Sequence, residues 1–344
     1  MDNNILNLII PTVPLEEPRS ADFFVRVNGE KVECQLARVS AMPFNRVWSG
    51  KERPLDQTEQ SSFVVFEMGQ PVEVEVVVQR SFSQAVLRPI SKEIAFTVEG
   101  NTIRFTISKP GQFSLELDGR NKNLTIFANP IKTYEPGSDT LYFGPGVHDI
   151  EKVELHSGQT LFVDSGAVVY ARTIRAFDSE NIRIIGHGIL DFSRYERTVF
   201  DPFTEEDSGS ISFTRCTNIL VDGVILRDAA WWAVTAINCF NVWYENVKLI
   251  GMWRYNADGL DFVNSQNVRI TNCFVRSFDD GIVLKGVNAN YIEIHPCEIP
   301  NIAYAEGKYE NDNGSITVRW NRDAQGKPCI QAETSGRFRC SRRE

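Results

Sequence analysis

Three aspartates are spaced so that they could carry out acid–base chemistry. Asp258 lies in Asn256-Ala-Asp258-Gly-Leu-Asp261, and Asp279 and Asp280 are adjacent in Phe278-Asp279-Asp280-Gly281. Asp258 and Asp280 each precede a glycine and are 22 residues apart. Like charges held together raise one another's pKa, so such a cluster tends to keep one carboxyl protonated while another stays ionised. Glycosidic cleavage uses that division, with a protonated acid for the leaving oxygen and an ionised base for water. An inverting reaction needs the two carboxyls about 6.5–9.5 Å apart to admit that water. Spacing alone leaves two other readings open: a collection of oxygen ligands for Ca²⁺, or a solvated pair of acidic turns.

The elements that must bring these residues together are short strands in a repeat. Five phrases begin with asparagine: Asn181-Ile-Arg-Ile-Ile-Gly, Asn218-Ile-Leu-Val-Asp-Gly, Asn241-Val-Trp-Tyr-Glu-Asn, Asn267-Val-Arg-Ile-Thr-Asn and Asn290-Tyr-Ile-Glu-Ile. The last four start 23, 26 and 23 residues apart. Periods of this size mean stacked repeats. Each phrase alternates β-branched or aromatic residues with polar ones, and no helix-length amphipathic segment separates them. A coil of two or three strands per turn fits, which is a parallel β-helix. Equivalent side chains then lie about 4.8 Å apart along the stack, so the asparagines can form a hydrogen-bonded ladder. The same winding places Asp258 and Asp280 on adjacent rungs. Asp279 joins them only if the strand ends or kinks there, because neighbouring strand residues point to opposite faces; Gly281 permits this.

If the coils superimpose, Trp231-Trp232 sits one rung before Ala257-Asp258, which sits one rung before Asp279-Asp280. One of the two tryptophans then faces the core and the other the cleft, where an indole can stack on a sugar. Trp253 and Tyr255 fall in the loop before Asp258 and are candidate cleft walls, as are Arg254 and Arg276. Lys285 is the nearest downstream cation for a substrate carboxyl. His187, in Gly186-His-Gly, reads as structural. Cys216 and Cys239 each stand two residues before a repeated asparagine and read as buried, stacked thiols.

Upstream the rhythm differs. Short alternating runs at Phe23–Val27, Phe63–Glu67, Val72–Val78, Ile94–Val98, Ile103–Ile107 and Phe113–Leu117 are separated by turns, the pattern of an antiparallel sandwich. Ala128-Asn129-Pro130 through Pro136-Gly137 reads as a linker. The resulting division is a β-sandwich over 20–130, a β-helix over 140–320 and an irregular basic tail over 321–344.

The net charge is −9, which argues against binding nucleic acid or an anionic membrane. No segment is long and apolar enough to span a bilayer. Ile5–Ile10 lacks the positive flank of a signal peptide, so a cytoplasmic location is the default, with secretion or periplasmic export open if the N-terminus is trimmed. The seven cysteines lack paired spacing, so neither a zinc site nor a disulfide framework is expected. A monomer is expected.

The Asn256–Asp261 stretch together with Asp279-Asp280-Gly281 resembles glycoside hydrolase family 28, the polygalacturonases, and Gly186-His-Gly-Ile-Leu-Asp191 looks like that family's Gly-x-Gly-x-Ile-Asp coil. The resemblance implies that Asp279 is the general acid, that Asp258 and Asp280 activate water, and that Asn256 is a supporting donor. Val86-Leu-Arg-Pro-Ile90, Gly111–Asp118 and Ile126–Pro130 are similar to the sandwich of glycoside hydrolase family 49, the dextranases and isopullulanases, which share the three-aspartate mechanism and act on neutral α-glucans. Two departures stand out. The Gly-His-Gly and Arg-x-Lys that family 28 carries downstream of its Asp pair are not found after Asp280, and the coil pattern fades near Asn290. The fold implied is all-β: an N-terminal β-sandwich, then a right-handed parallel β-helix of the pectin-lyase type with truncated C-terminal coils. The function implied is inverting hydrolysis of a pectic polysaccharide or oligosaccharide, without cofactor or metal. The alternatives are hydrolysis of a neutral α-glucan, a Ca²⁺-dependent polysaccharide lyase, and a non-catalytic carbohydrate-binding β-helix.

Overall fold

The computed structural model describes residues 7–41, 55–119, 122–195, 210–254 and 256–285, together with the strands Ile292–Ile294, Lys308–Glu310, Thr317–Val318 and Arg337–Arg339. Among these residues the regular structure is strand, with two single-turn 3₁₀ segments and no α-helix. The chain divides into two units: residues 1–37 with 59–134, and residues 38–58 with 135–344.

The first unit is a β-sandwich. One sheet contains Phe23–Val27, Glu30–Val32, Val72–Val78, Phe96–Glu99 and Thr102–Ile107, paired antiparallel. The other is built around Thr58–Met68, Ala85–Arg88, Gly111–Leu117 and Leu124–Pro130. Val25, Val74, Val76 and Ile103 from the first sheet meet Val64, Phe66, Leu115 and Ile126 from the second in one buried core. The strand alternation explains this, because every second side chain faces inward. The unit departs from the sequence reading in three places. Leu8–Ile9 adds a short strand before residue 20, paired with Met68 and Glu67. Ala128-Asn129-Pro130 is not linker but the end of Leu124–Pro130, which runs parallel to Thr58–Met68. Gln35–Ser40 is a further strand of this sheet, beside Thr58–Met68.

The second unit is a right-handed parallel β-helix with three columns of strands. The first column stacks Thr140–Phe143, Thr160–Val163, Glu180–Ile185, Thr217–Asp222, Phe240–Glu245, Gln266–Thr271, Ile292–Ile294 and Thr317–Val318 in parallel. The second stacks Ile189–Asp191, Ile225–Arg227, Lys248–Ile250 and Phe274–Val275, and the third Ile211–Thr214, Val234–Ile237, Leu260–Val263 and Ile282–Lys285. The long strand Ala167–Phe177 feeds both, pairing with Ile189–Asp191 through its first part and Ile211–Thr214 through its last, and it is itself stacked in parallel on Gly146–Leu155 of the preceding coil. Inside the coil like stacks on like. Ile182, Ile219, Val242 and Val268 form one column, and Ile184, Val221, Tyr244 and Ile270 another.

The repeated asparagines have two physical tasks. Asn218 Nδ2 donates to Asn181 Oδ1 at 2.9 Å, Asn241 Nδ2 to Asn218 Oδ1 at 2.8 Å, and Asn267 Nδ2 to Asn241 Oδ1 at 2.5 Å. All four also have positive φ, between 53° and 60°, a conformation that asparagine tolerates better than other side chains. Each phrase closes on a second left-handed position: Gly186, Gly223, Asn246 and Asn272. The phrase therefore encodes a strand between two bends. Asn290 lies outside the described residues. Asn241→Ala should destabilise the protein by about 1–3 kcal/mol, since it loses two amide bonds and strains the backbone. Asn241→Gly keeps the bend and should lose less. Denaturant midpoints of the two variants check this.

Cys216 and Cys239 are buried and stacked, with Cys216 N donating to Cys239 Sγ at 3.4 Å. His187 is buried, in keeping with a structural role. Within the stretch read as an irregular tail the structure places one strand, Arg337–Arg339, antiparallel to Lys308–Glu310; the rest of residues 321–344 lies outside the described residues.

Candidate active site

The third column carries the candidate carboxylates. Val234, Leu260 and Ile282 are paired across three successive coils. The pairing continues upstream of the strands. Ala233 N donates to the Asp258 carbonyl at 2.9 Å, and Gly259 N to the Asp280 carbonyl at 2.8 Å. Two residues before each paired position, Trp232, Asp258 and Asp280 therefore occupy equivalent places on consecutive rungs, as do Trp231, Ala257 and Asp279.

Asp279 escapes simple alternation because the backbone kinks. Phe278 N and Asp279 N both donate to the Ala257 carbonyl, at 3.2 and 3.3 Å. In a regular parallel strand only every second N–H points to a given neighbour. Two consecutive donors on one acceptor mean that the chain turns here, ahead of Ile282–Lys285. Ser277 Oγ donates to the Asp279 carbonyl at 2.7 Å and holds the turn. Asp279 and Asp280 are half-buried, and Asp258 is 4% exposed.

Gly259 lets the rungs approach. A Cβ there would stand 2.2 Å from the Gly281 carbonyl oxygen and 2.5 Å from Val275 Cγ1. The tight fit of the site thus depends on a glycine that the sequence showed only as a neighbour of Asp258.

The flanking candidates divide. Trp232 is 8% exposed and packs with Ile237 and Val263 in a small cluster apart from the interior core of the coil, and Trp231 is half-buried, so neither tryptophan is the core member that alternation predicted. Trp253 is half-buried, and its Nε1 donates to Asp228 Oδ1 at 2.6 Å; only its ring remains to meet a sugar. Asn256 is half-buried with φ +62°, in a turn closed by Ala257 N on the Arg254 carbonyl at 3.2 Å. Tyr255 and the Lys285 side chain lie outside the described residues. Arg276 is buried.

The sequence reading did not find Asp228. It sits one coil before Trp253, 8% exposed, and burial pushes its carboxyl up to about 7, against the lowering influence of Arg254. Around it, Arg227 pairs with Asp191, Arg254 Nε lies 3.6 Å from Asp228 Oδ1, and Arg194 pairs with Asp149. Burial of a polar side chain is a tertiary property, and no local pattern announces it.

Among the described residues, no group of three or more His, Cys, Asp or Glu is arranged to hold a metal ion.

The sequence profile of Glycosyl hydrolases family 28 matches residues 182–300, the coils that carry all three aspartates. Over those coils the chain is similar to glycoside hydrolase family 28. Dex49A from Penicillium minioluteum is similar in fold, with a TM-score of 0.60 at 16% identity over 92% of this chain and 72% of that one. The matched residues come from both units. The family 28 exopolygalacturonase of Yersinia enterocolitica matches at TM-score 0.35 and 14% identity, over 71% of this chain and 72% of that one. The hyperthermoactive exopolygalacturonase of Thermotoga maritima matches at 0.40 and 16%, over 54% and 57%. No protein with a curated description matches the sequence.

Proposed function

We propose that this glycosidase hydrolyses the glycosidic bonds of a pectic polysaccharide or oligosaccharide with inversion, Asp279 acting as the acid and Asp258 and Asp280 activating water. The observation that carries the reading is the rung register: Asp258 and Asp280 stand on neighbouring coils, with Asp279 turned by the kink on the Ala257 carbonyl. Three carboxylates so placed have both the acid and the base that glycosidic cleavage requires. Asn256 and the tryptophan faces supply contacts for sugar hydroxyls and apolar sugar faces.

A second reading, a neutral α-glucan, is favoured by the pairing of three arginines in the coils before Asp258. Arg194, Arg227 and Arg254 each have a carboxylate partner in Asp149, Asp191 and Asp228. A galacturonate carboxyl would have to compete with those partners, whereas a neutral sugar needs no cation.

The test is reducing-sugar release from polygalacturonate, dextran and pullulan, with product anomers followed by NMR. Hydrolysis of polygalacturonate with inversion is expected. Action confined to dextran or pullulan would move the substrate to the second reading. An unsaturated, ultraviolet-absorbing product or retention of configuration would overturn the mechanism.

A further inference from the structure

The carboxylate of Asp228 has no part in the chemistry above, yet it sits where a chain of contacts leads directly to the reacting groups. It is on the coil before Asp258, buried, with φ +58°. Its Oδ1 accepts from Trp253 Nε1 at 2.6 Å and faces Arg254 Nε at 3.6 Å. Arg254 reaches back a further coil, its Nη1 and Nη2 each 3.4 Å from the carbonyls of Tyr195 and Ser193. Ser193 is itself held by Asp191, which pairs with Arg227. In the other direction, the Arg254 carbonyl accepts from Ala257 N at 3.2 Å, and the Ala257 carbonyl receives the N–H groups of Phe278 and Asp279. Ala257 thus links the clamp to Asp279, its N–H bonded to Arg254 and its carbonyl to Phe278 and Asp279.

We propose that Asp228 is a positioning residue of this glycosidase, clamping Trp253 and Arg254 and thereby fixing the turn that presents Asn256, Asp258 and the kink at Asp279. The proposal rests on the hydrolytic reading of the site. The side chains facing Asp228 are Trp253 and Arg254 from the following coil, Arg227 beside it and Asp191 from the coil before. A carboxylate kept in such a place at the expense of desolvation is a mark of functional sites more than of stable cores. Misplacement of a reacting group by about 1 Å is enough to lower turnover about 100-fold.

The test compares the full chain with Asp228→Asn, Trp253→Phe and the double variant. Asn is close to isosteric and keeps an acceptor for the indole while removing the ionisable carboxyl that faces Arg254. Asp228→Asn should lower kcat/KM about 10- to 100-fold, mostly in kcat. Trp253→Phe should do likewise, and the double variant should be no worse than the more damaged single variant, because both break one unit. Thermal unfolding adds a readout tied to the carboxyl itself. Its ordinary value is 3.8 and its folded value about 7, so the folded state holds a proton that the unfolded chain has lost. The stability this confers is present at acid pH and is lost as pH rises through 7. The Tm of the wild type minus that of Asp228→Asn should therefore fall between pH 4 and pH 8. A kcat/KM within twofold of wild type, effects that multiply in the double variant, or a pH-independent Tm difference would each overturn the clamp. A wild-type protein that hydrolyses no glycan would overturn the proposed function and the positioning role together, whereas an active wild type with an unaffected Asp228→Asn overturns the positioning role alone.

Discussion

Asp279→Asn is expected to remove nearly all turnover on a natural polysaccharide, by about 10²- to 10⁴-fold in kcat, with KM little changed. At about 1.36 kcal/mol per tenfold, that is roughly 3–5 kcal/mol of transition-state stabilisation. The sign follows from the proposed role. A general acid donates to the glycosidic oxygen only as the bond breaks, so its loss is felt in the transition state and not in ground-state binding. Asn is nearly isosteric and Asp279 is half-buried, so the fold should persist, as a circular dichroism melt can verify. A second measurement separates the acid from the groups that activate water. An aryl glycoside with an acidic phenol leaves without protonation. Asp279→Asn should recover most of its rate on such a substrate, whereas Asp258→Asn and Asp280→Asn should not. If Asp280→Asn were the variant recovered by a good leaving group, the two neighbours would exchange roles. Full activity of Asp279→Asn on polysaccharide would remove this residue from the mechanism.

How far these roles could be read from the sequence depends on the range of the interactions behind them. The β-helix was legible because its information is repeated. Asn181, Asn218, Asn241 and Asn267 each meet the same two demands, a left-handed bend and an amide ladder, so the same residue recurs at the coil period. That period alone places 258 and 280 on adjacent rungs. Non-repeated features were harder. Leu124–Pro130 pairs in parallel with Thr58–Met68, a non-local contact that its Asn-Pro ending disguised as a linker. The kink that turns Asp279 depends on the carbonyl of Ala257 more than 20 residues earlier, and Gly281 could signal only that a kink was permitted. Asp228 was illegible for a different reason. In sequence it is one acidic residue after Arg227, and only the packing of the next coil shows that it is buried and that Trp253 and Arg254 converge on it.

Gly259→Ala should combine a measurable loss of stability with a large loss of activity. A methyl group at this position would lie 2.2 Å from the Gly281 carbonyl oxygen, an atom of the adjoining backbone that no rotamer change can move aside. The rung carrying Asp280 and Gly281 must then shift away from the rung carrying Asp258, against the hydrogen bonds from Gly259 N to Asp280 and from Leu260 N to Gly281 that hold them at 2.8 and 3.0 Å. Overpacking of this kind typically destabilises by about 1–3 kcal/mol. The effect on catalysis should be greater, because the displaced element is the one that sets the carboxylates against each other. A shift of about 1 Å predicts a fall of about 100-fold in kcat. Val275 provides the control, since its Cγ1 would also be too close, at 2.5 Å. If the side-chain contact were the cause, Val275→Ala in the same chain would restore turnover. The backbone contact predicts no recovery, because the Gly281 carbonyl remains in place. Recovery in the double variant, or a Gly259→Ala enzyme as active as wild type, would mean that the rungs have slack, and that the separation of Asp258 from Asp280 is not what the glycine protects.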